Sequence, residues 1–437
     1  MKTKELICKN LTVTDDNTLA FAGVDCLYLA KKYGTPLYVM DEDKIRENAK
    51  AYINAVKETF GDNAGVLYAS KALSFKRIYE IVNEENLGID VVSQGEIFTA
   101  LKGGFPLEKA YFHSNNKTDD DIAFAIDKGV GYFVVDNEEE LVSISEISLS
   151  KGVVSNVLLR LTPGIDPHTY DEVATGKVDS KFGSAIETGQ AEEITKTALS
   201  LKGINLVGFH CHVGSQVFDS SVYIRSAEVM LNFIKTVKTN YGYETKQLDI
   251  GGGFGVRYVE EQPTLDVSSR IKEIGEYLKE KTTELGIKMP KILFEPGRSI
   301  VADAGLTLYT VGTVKRIPGY KNYVSIDGGM TDNPRFALYK SSYTLYPAYN
   351  MQIERDMTAS VVGRCCESGD IIQEEVKMPS TIKRGDVIAV ATTGAYNFSM
   401  SSNYNKVLRP AVVMLKNQKD YVAVKAQRLE DLISLEE

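Results

Sequence analysis

GVLYAS at residues 65–70, LGIDVVS at 87–93, KAYFHS at 109–114 and YFVVD at 132–136 are short apolar runs, and amphipathic stretches separate them. Such short runs with polar boundaries read as buried strands, while the stretches between them, DDDIAFAIDKG and NEEELVSISEISLSKG among them, have helical spacing. The pattern continues through VLLRLTP (157–163), LVGFHCH (206–212), QLDIGGG (247–253) and KILFEP (291–296), with SSVYIRSAEVMLNFIKTVKTN as a further helical connection. Strands that alternate with helices lie parallel, and eight such units predict an α/β fold built on a (β/α)8 barrel of the TIM type. A doubly wound open sheet is the competing reading. The strand count opposes it, and so does the lack of a nucleotide-type glycine fingerprint after the first run.

After residue 305 the texture changes. LTLYTVGTVKRI, YKNYVSIDGG, ASVVGRC, GDVIAVATTG and AVVMLKNQKDYVAVKAQR are β-rich segments separated by Gly, Pro and Asn turns, with little helical periodicity. The sequence therefore divides into a barrel over 36–305 and a mostly-β domain formed by 306–437, which residues 1–35 join ahead of the helical stretch DEDKIRENAKAYINAVKETF.

Composition narrows the function classes. The 437 residues are 43% hydrophobic and 25% charged, as expected of a globular protein with a substantial core, and no run approaches a membrane span. A cytoplasmic location is the expectation. A formal charge of −9 opposes a nucleic-acid partner, which would demand clustered Lys and Arg. Five cysteines without metal-type spacing, Cys365 and Cys366 adjacent among them, suit reduced thiols better than a disulfide frame, and no metal is expected. Small-molecule chemistry is favoured.

In such a barrel the site is built where strands end, so the closing residues of each run are the informative ones. They are Lys71, Ser93, His113, His210 with His212, Gly251 to Gly253, and Glu295 with Arg298; His168 follows run five in a polar loop. A single polar strand end is ordinarily a satisfied or solvated side chain, but three of the four histidines fall at such ends. A lysine on a rigid rim can act as an amine nucleophile toward a carbonyl. Glycines leave backbone amides open to an anion such as phosphate. A carboxylate at the end of run eight could hold a proton on a pyridine nitrogen, making that ring an electron sink. Lys71, the GGGFG turn and Glu295 together supply the contacts that pyridoxal phosphate requires.

The motifs also resemble a known family. YASKA around Lys71, HSNNKT from His113, GFHCHVGSQ from 208, LDIGGGFG from 248, FEPGRS from 294, NPRFALY from 333, CCESGD from 365 and GAYNFSMSSNYN from 394 are similar to the motifs of fold-type III pyridoxal-phosphate decarboxylases. The resemblance is to the branch that converts meso-2,6-diaminopimelate to L-lysine and carbon dioxide. It implies an alanine racemase-like fold of barrel plus β domain, with Lys71 as covalent anchor and His212 on one face of the cofactor ring. Ser215, Gly253 and Tyr396 would hold the phosphate, and Glu295 the ring nitrogen. Arg298, Arg335 and Tyr339 would grip the distal carboxylate of the substrate, Arg298 and Tyr396 serving both cofactor and substrate, and Glu367 its distal ammonium. Cys366 would be the general acid. Cys366 and Glu367 would reach the site of the opposite subunit, so a homodimer with shared sites is implied. Two departures are visible: Ser114 stands where glycine is frequent, and the loop after His168 reads TYDEVATG. The alternatives are a decarboxylase for ornithine, lysine or arginine on the same scaffold, a racemase, which Glu295 opposes, and a non-catalytic relative that binds a protein partner.

Overall fold

The computed structural model describes residues 6–165 and 180–437. All eight predicted strands are present: β1 (Ala64–Ala69), β2 (Gly88–Val91), β3 (Ala110–Phe112), β4 (Tyr132–Val135), β5 (Ser155–Thr162), β6 (Ile204–His210), β7 (Gln247–Asp249) and β8 (Lys291–Phe294). Each pairs in parallel with the next. β8 returns to β1 through Ile292 opposite Ala64 and Phe294 opposite Val66, which closes the barrel. A two-residue strand, Ser184–Ala185, is added outside β5. Leu67, Tyr111, Val134, Leu158, Val207 and Leu293 fill the interior as one buried cluster. Truncating one of them, Leu158→Ala for example, should cost about 2–5 kcal/mol through lost burial and the cavity left behind.

The connecting helices start and stop where the sequence instructs. Asp119–Lys128 opens on Thr118, whose hydroxyl accepts the Asp121 amide in a capping box, and ends at Gly129 in the left-handed region. Asn137 caps Glu138–Ser150 in a similar way. Ser93, one of the strand-end candidates, caps Gln94–Lys102 by accepting the Glu96 amide, so its role is local.

The chain divides into two compact units, residues 48–255 with 265–299, and residues 1–47 with 256–264 and 300–437. These boundaries differ from the expected 36 and 305. Leu37–Asp41 pairs antiparallel with Gly305–Arg316 and parallel with Ala411–Lys416, so it belongs to the β unit although its sequence, LYVMD, reads as any buried strand. The backbone ladder, which composition does not reveal, decides its membership.

The β unit is organised around the long strand Gly305–Arg316. Its first half pairs with Leu37–Asp41 and Val387–Ala391, and its second half with Asn322–Ile326. Residues near the N-terminus join this unit. Leu19, Phe21 and Leu29 pack with Leu37, Leu306 and Val413 in one apolar core. Among the described residues no helix is long and apolar enough to cross a membrane.

Candidate active site

The ends of the barrel strands gather charge in a small volume. Lys71 lies in the short turn Ser70–Ala72 that follows β1 and is exposed. Pro296, which follows Glu295, accepts the Ala69 amide at 3.2 Å and so ties the end of β8 to the start of this turn. The approach is close enough to require Gly297, since a Cβ there would lie 2.9 Å from Ala69 Cβ.

Glu295 is 6% exposed. Oε1 lies 2.8 Å from His113 Nε2, and Oε2 lies 3.1 Å from His210 Nε2. The two imidazoles meet edge to face, with centroids 5.0 Å apart. Burial alone would raise this carboxyl, but the two imidazoles outweigh it and hold Glu295 well below the usual carboxylate range. Nearby Asp249 is pushed the other way, first by burial and then by the charge of Glu295. Oε1 of Glu295 has no well-aligned hydrogen-bond donor among the described residues despite its short contact with His113.

His212 is fixed by the glycine turn, since its Nδ1 accepts the Gly252 amide at 3.3 Å. Burial, reinforced by the charges of Lys71 and Arg160, keeps the ring neutral. Gly253 sits at φ +94°, and a Cβ on it would lie 2.0 Å from the Gly214 carbonyl oxygen, so no other residue fits the turn. Arg298, 5% exposed, donates to Ser215 Oγ through Nη2 at 2.9 Å and Nε at 3.2 Å. A guanidinium, a hydroxyl and a glycine turn thus meet in the barrel unit.

A family model described as pyridoxal-dependent decarboxylase, pyridoxal binding domain, matches residues 42–302. The chain belongs to the pyridoxal-dependent decarboxylases. Over 418 residues, 96% of this chain and 95% of the relative, it is 43% identical to the diaminopimelate decarboxylase of Bacillus subtilis strain 168. It is 42% identical over 415 residues to that of Staphylococcus aureus strain COL, covering 95% of this chain and 96% of the relative. Among solved structures, a diaminopimelate decarboxylase from M. jannaschii in co-complex with L-lysine superposes with a TM-score of 0.90 at 32% identity, covering 99% of both chains. A lysine/ornithine decarboxylase from Vibrio vulnificus complexed with putrescine gives a TM-score of 0.75 at 25% identity, covering 90% of this chain and 97% of the other.

The cofactor of this family is pyridoxal phosphate, and the barrel end fits it. Glu295 offers a buried oxygen that lacks an aligned donor, as a protonated ring nitrogen would supply. The turn packs Gly253 directly against the Gly214 carbonyl, next to Ser215, where Arg298 adds positive charge.

The remaining candidates lie in the β unit. Arg335, 6% exposed, opens the short helix Arg335–Tyr339. Its guanidinium lies 4.7 Å from the ring centre of Tyr339 and 5.1 Å from that of Tyr396. Tyr396 holds φ +63°, a left-handed conformation that a bulky side chain adopts only under constraint. Arg335, Tyr339 and Tyr396 are therefore brought together as one clamp. Cys366 and Glu367 are exposed on the CCESGD turn. Asp370 shapes this turn by accepting the amides of Met330 at 2.6 Å and Cys365 at 2.7 Å, and the Cys366 amide donates to Asn405 Oδ1 at 2.8 Å. His168 and the TYDEVATG segment lie outside the described residues.

Sequence reasoning missed a buried pair behind the His113 loop. Lys117 Nζ lies 2.7 Å from Glu140 Oε1 and donates to the Val134 and Ser114 carbonyls at 2.7 and 3.2 Å. Ser114 itself holds φ +144°, a conformation that L side chains rarely adopt and glycine takes readily. Only HSNNKT as a motif marked the segment, and nothing local paired Lys117 with Glu140.

Proposed function

We propose that this chain decarboxylates meso-2,6-diaminopimelate to L-lysine and carbon dioxide. The observation that carries the choice of substrate is Arg335. It is a buried guanidinium held between two aromatic rings, and its Nε finds no acceptor among the described residues. A planar cation fixed in this way suits a distal carboxylate, which diaminopimelate has and ornithine, lysine and arginine lack. The names of the relatives at 41–44% identity support the same reading.

Bound pyridoxal phosphate supplies an electron sink for the charge left on the α-carbon when carbon dioxide departs. Lys71 would hold it covalently and release it to the substrate amine. Glu295 would keep a proton at the ring nitrogen, His212 would cover one ring face as a neutral imidazole, and Ser215, Gly253, Arg298 and Tyr396 would take the phosphate. Arg298, Arg335, Tyr339 and Tyr396 would orient the distal carboxylate, and Glu367 the distal ammonium. Cys366 Sγ would then deliver a proton to the α-carbon, which takes the place of the lost carboxylate. A cytoplasmic homodimer, with Cys366 and Glu367 serving the opposite subunit, completes the proposal.

The test is carbon dioxide release from purified, cofactor-loaded protein offered meso-diaminopimelate, ornithine, lysine and arginine side by side. Equal release from ornithine or lysine would reduce the assignment to a general basic amino-acid decarboxylase.

A further inference from the structure

The His113–Glu295–His210 cluster has a consequence beyond the pairing of Glu295 with a ring nitrogen. Its members come from the ends of β3, β8 and β6, no two of which are neighbours in the strand order, so the carboxylate collects imidazoles from separate strands. His210 is 1% exposed, and its Nδ1 has no partner among the described residues. Placing a proton on that nitrogen would bury an unpaired donor, so Nε2 carries the single ring proton and gives it to Glu295 Oε2. Burial drives the same ring down to about 4, in agreement. A carboxylate has about four lone-pair sites, so two imidazole contacts leave capacity for a third donor.

The charge around Glu295 makes this grip necessary. Asp90 and Asp249 are buried and near it, while Arg160, Lys71 and His212 contribute the remaining charge or dipole. Two or three acidic groups in one desolvated space do not all ionise. Something must select the one that faces the ligand. Asp249 spends its Oδ1 on the Gly251 amide at 2.8 Å, whereas Glu295 has an imidazole nitrogen within 3.1 Å of each oxygen.

We propose that His113 and His210 are positioning residues that fix the negative charge on Glu295, and not on Asp249 or Asp90, before any cofactor arrives. The inference rests on the reading of Glu295 given above. It explains why two strand-end histidines accompany a carboxylate that already has a ligand partner. His210 acts through Glu295 by donating N–H from Nε2, and the His113 ring sets its own Nε2 2.8 Å from Oε1.

Gln and Asn substitutions separate donation from bulk. A Gln side chain can place an amide N–H near the position of histidine Nε2 and cannot titrate; Asn is too short to reach Glu295. Two measurements apply to each of His113→Gln, His113→Asn, His210→Gln and His210→Asn. One is the carboxyl 13C titration of Glu295 in cofactor-free protein labelled at glutamate, assigned by the signal missing from Glu295→Gln. The other is the dissociation constant of pyridoxal phosphate from cofactor-free protein as a function of pH. The Asn variants should raise the Glu295 midpoint by at least about one pH unit and weaken cofactor binding roughly tenfold below that midpoint, while the Gln variants stay within about threefold of the parent. If Asn and Gln variants match the parent in both measurements, or fail equally, the positioning role is overturned. Glu295→Gln keeps the two readings distinct: normal turnover in that variant refutes the role of Glu295 itself, whereas a dead Glu295→Gln beside normal histidine variants refutes only the inference.

Discussion

The ammonium of Lys117 and the carboxylate of Glu140 lie 2.7 Å apart, with their side chains 0% and 3% exposed. Each charge is tolerable only because the other is present, and the pair sits behind the loop that follows His113. Lys117→Met strands a buried carboxylate and should cost about 3–5 kcal/mol, whereas Lys117→Met combined with Glu140→Leu should recover most of that loss. Urea denaturation of the single and double variants measures it. Additive losses in the double variant would contradict the pairing.

Acid should weaken the fold through His210. Burial holds its folded pKa at about 4, below the ordinary 6.5, despite the opposing pull of Glu295. Between those values the unfolded chain binds a proton that the folded chain refuses, so stability present above pH 6.5 is lost as pH falls toward 4. This residue should account for about 2 kcal/mol between pH 7 and pH 5, and buried His212 acts in the same direction. Denaturation of cofactor-free protein at the two pH values gives the difference, and His210→Gln should abolish the His210 share. A slope unchanged in that variant would contradict the assignment.

Lys71 should be the site of covalent attachment. Borohydride reduction of cofactor-loaded protein followed by peptide mapping should place the label in the peptide containing YASKA. A label on another lysine would move the anchor elsewhere.

Arg335→Ala should lower kcat/KM for meso-diaminopimelate by roughly 10- to 100-fold, the equivalent of losing about 1.5–3 kcal/mol of charge-assisted hydrogen bonding, with cofactor stoichiometry unchanged. Arg335→Lys should fall between the two, since it keeps the charge and loses the planar fork. An Arg335→Ala enzyme that still prefers diaminopimelate over ornithine by the parental ratio would remove Arg335 from substrate selection.

Shared sites can be tested by mixing two inactive proteins. Lys71→Ala and Cys366→Ala subunits, exchanged under mild denaturant, should regenerate one native site in each heterodimer. Statistical mixing then predicts recovery to roughly a quarter of parental activity. No recovery, with exchange verified by mass, would place both residues in the site of one chain.

Much of the barrel was legible because each strand carries its own local signal. Runs such as YFVVD and KILFEP are apolar on both faces, as strands covered by helices must be, and Thr118 and Gly129 punctuate a helix by their own chemistry. LYVMD shows the limit. Its sequence declares a buried strand and says nothing about which sheet holds it. Ser184–Ala185 is two residues long and offers no pattern at all. In the site, Lys71, Glu295 and the glycine turn stood out because their residue types suit a chemistry at strand ends. The grip of His113 and His210 on one carboxylate did not, since it exists only once distant strands have closed into a cylinder. The same holds for Arg335, whose two aromatic neighbours lie at different distances along the chain.

The closure of β8 onto β1 also has a temporal meaning. Phe294 meets Val66 only after nearly the whole barrel has been synthesised, and this most distant pairing in the cylinder brings Glu295 toward Lys71. Loop-closure entropy and high contact order make such a pairing late and slow. A nascent chain held on the ribosome before Glu295 emerges would lack the carboxylate proposed to face the cofactor ring, whatever its early βα units have formed. Acquisition of the yellow chromophore during refolding would therefore clock the final joining of the cylinder, after the helices have already formed.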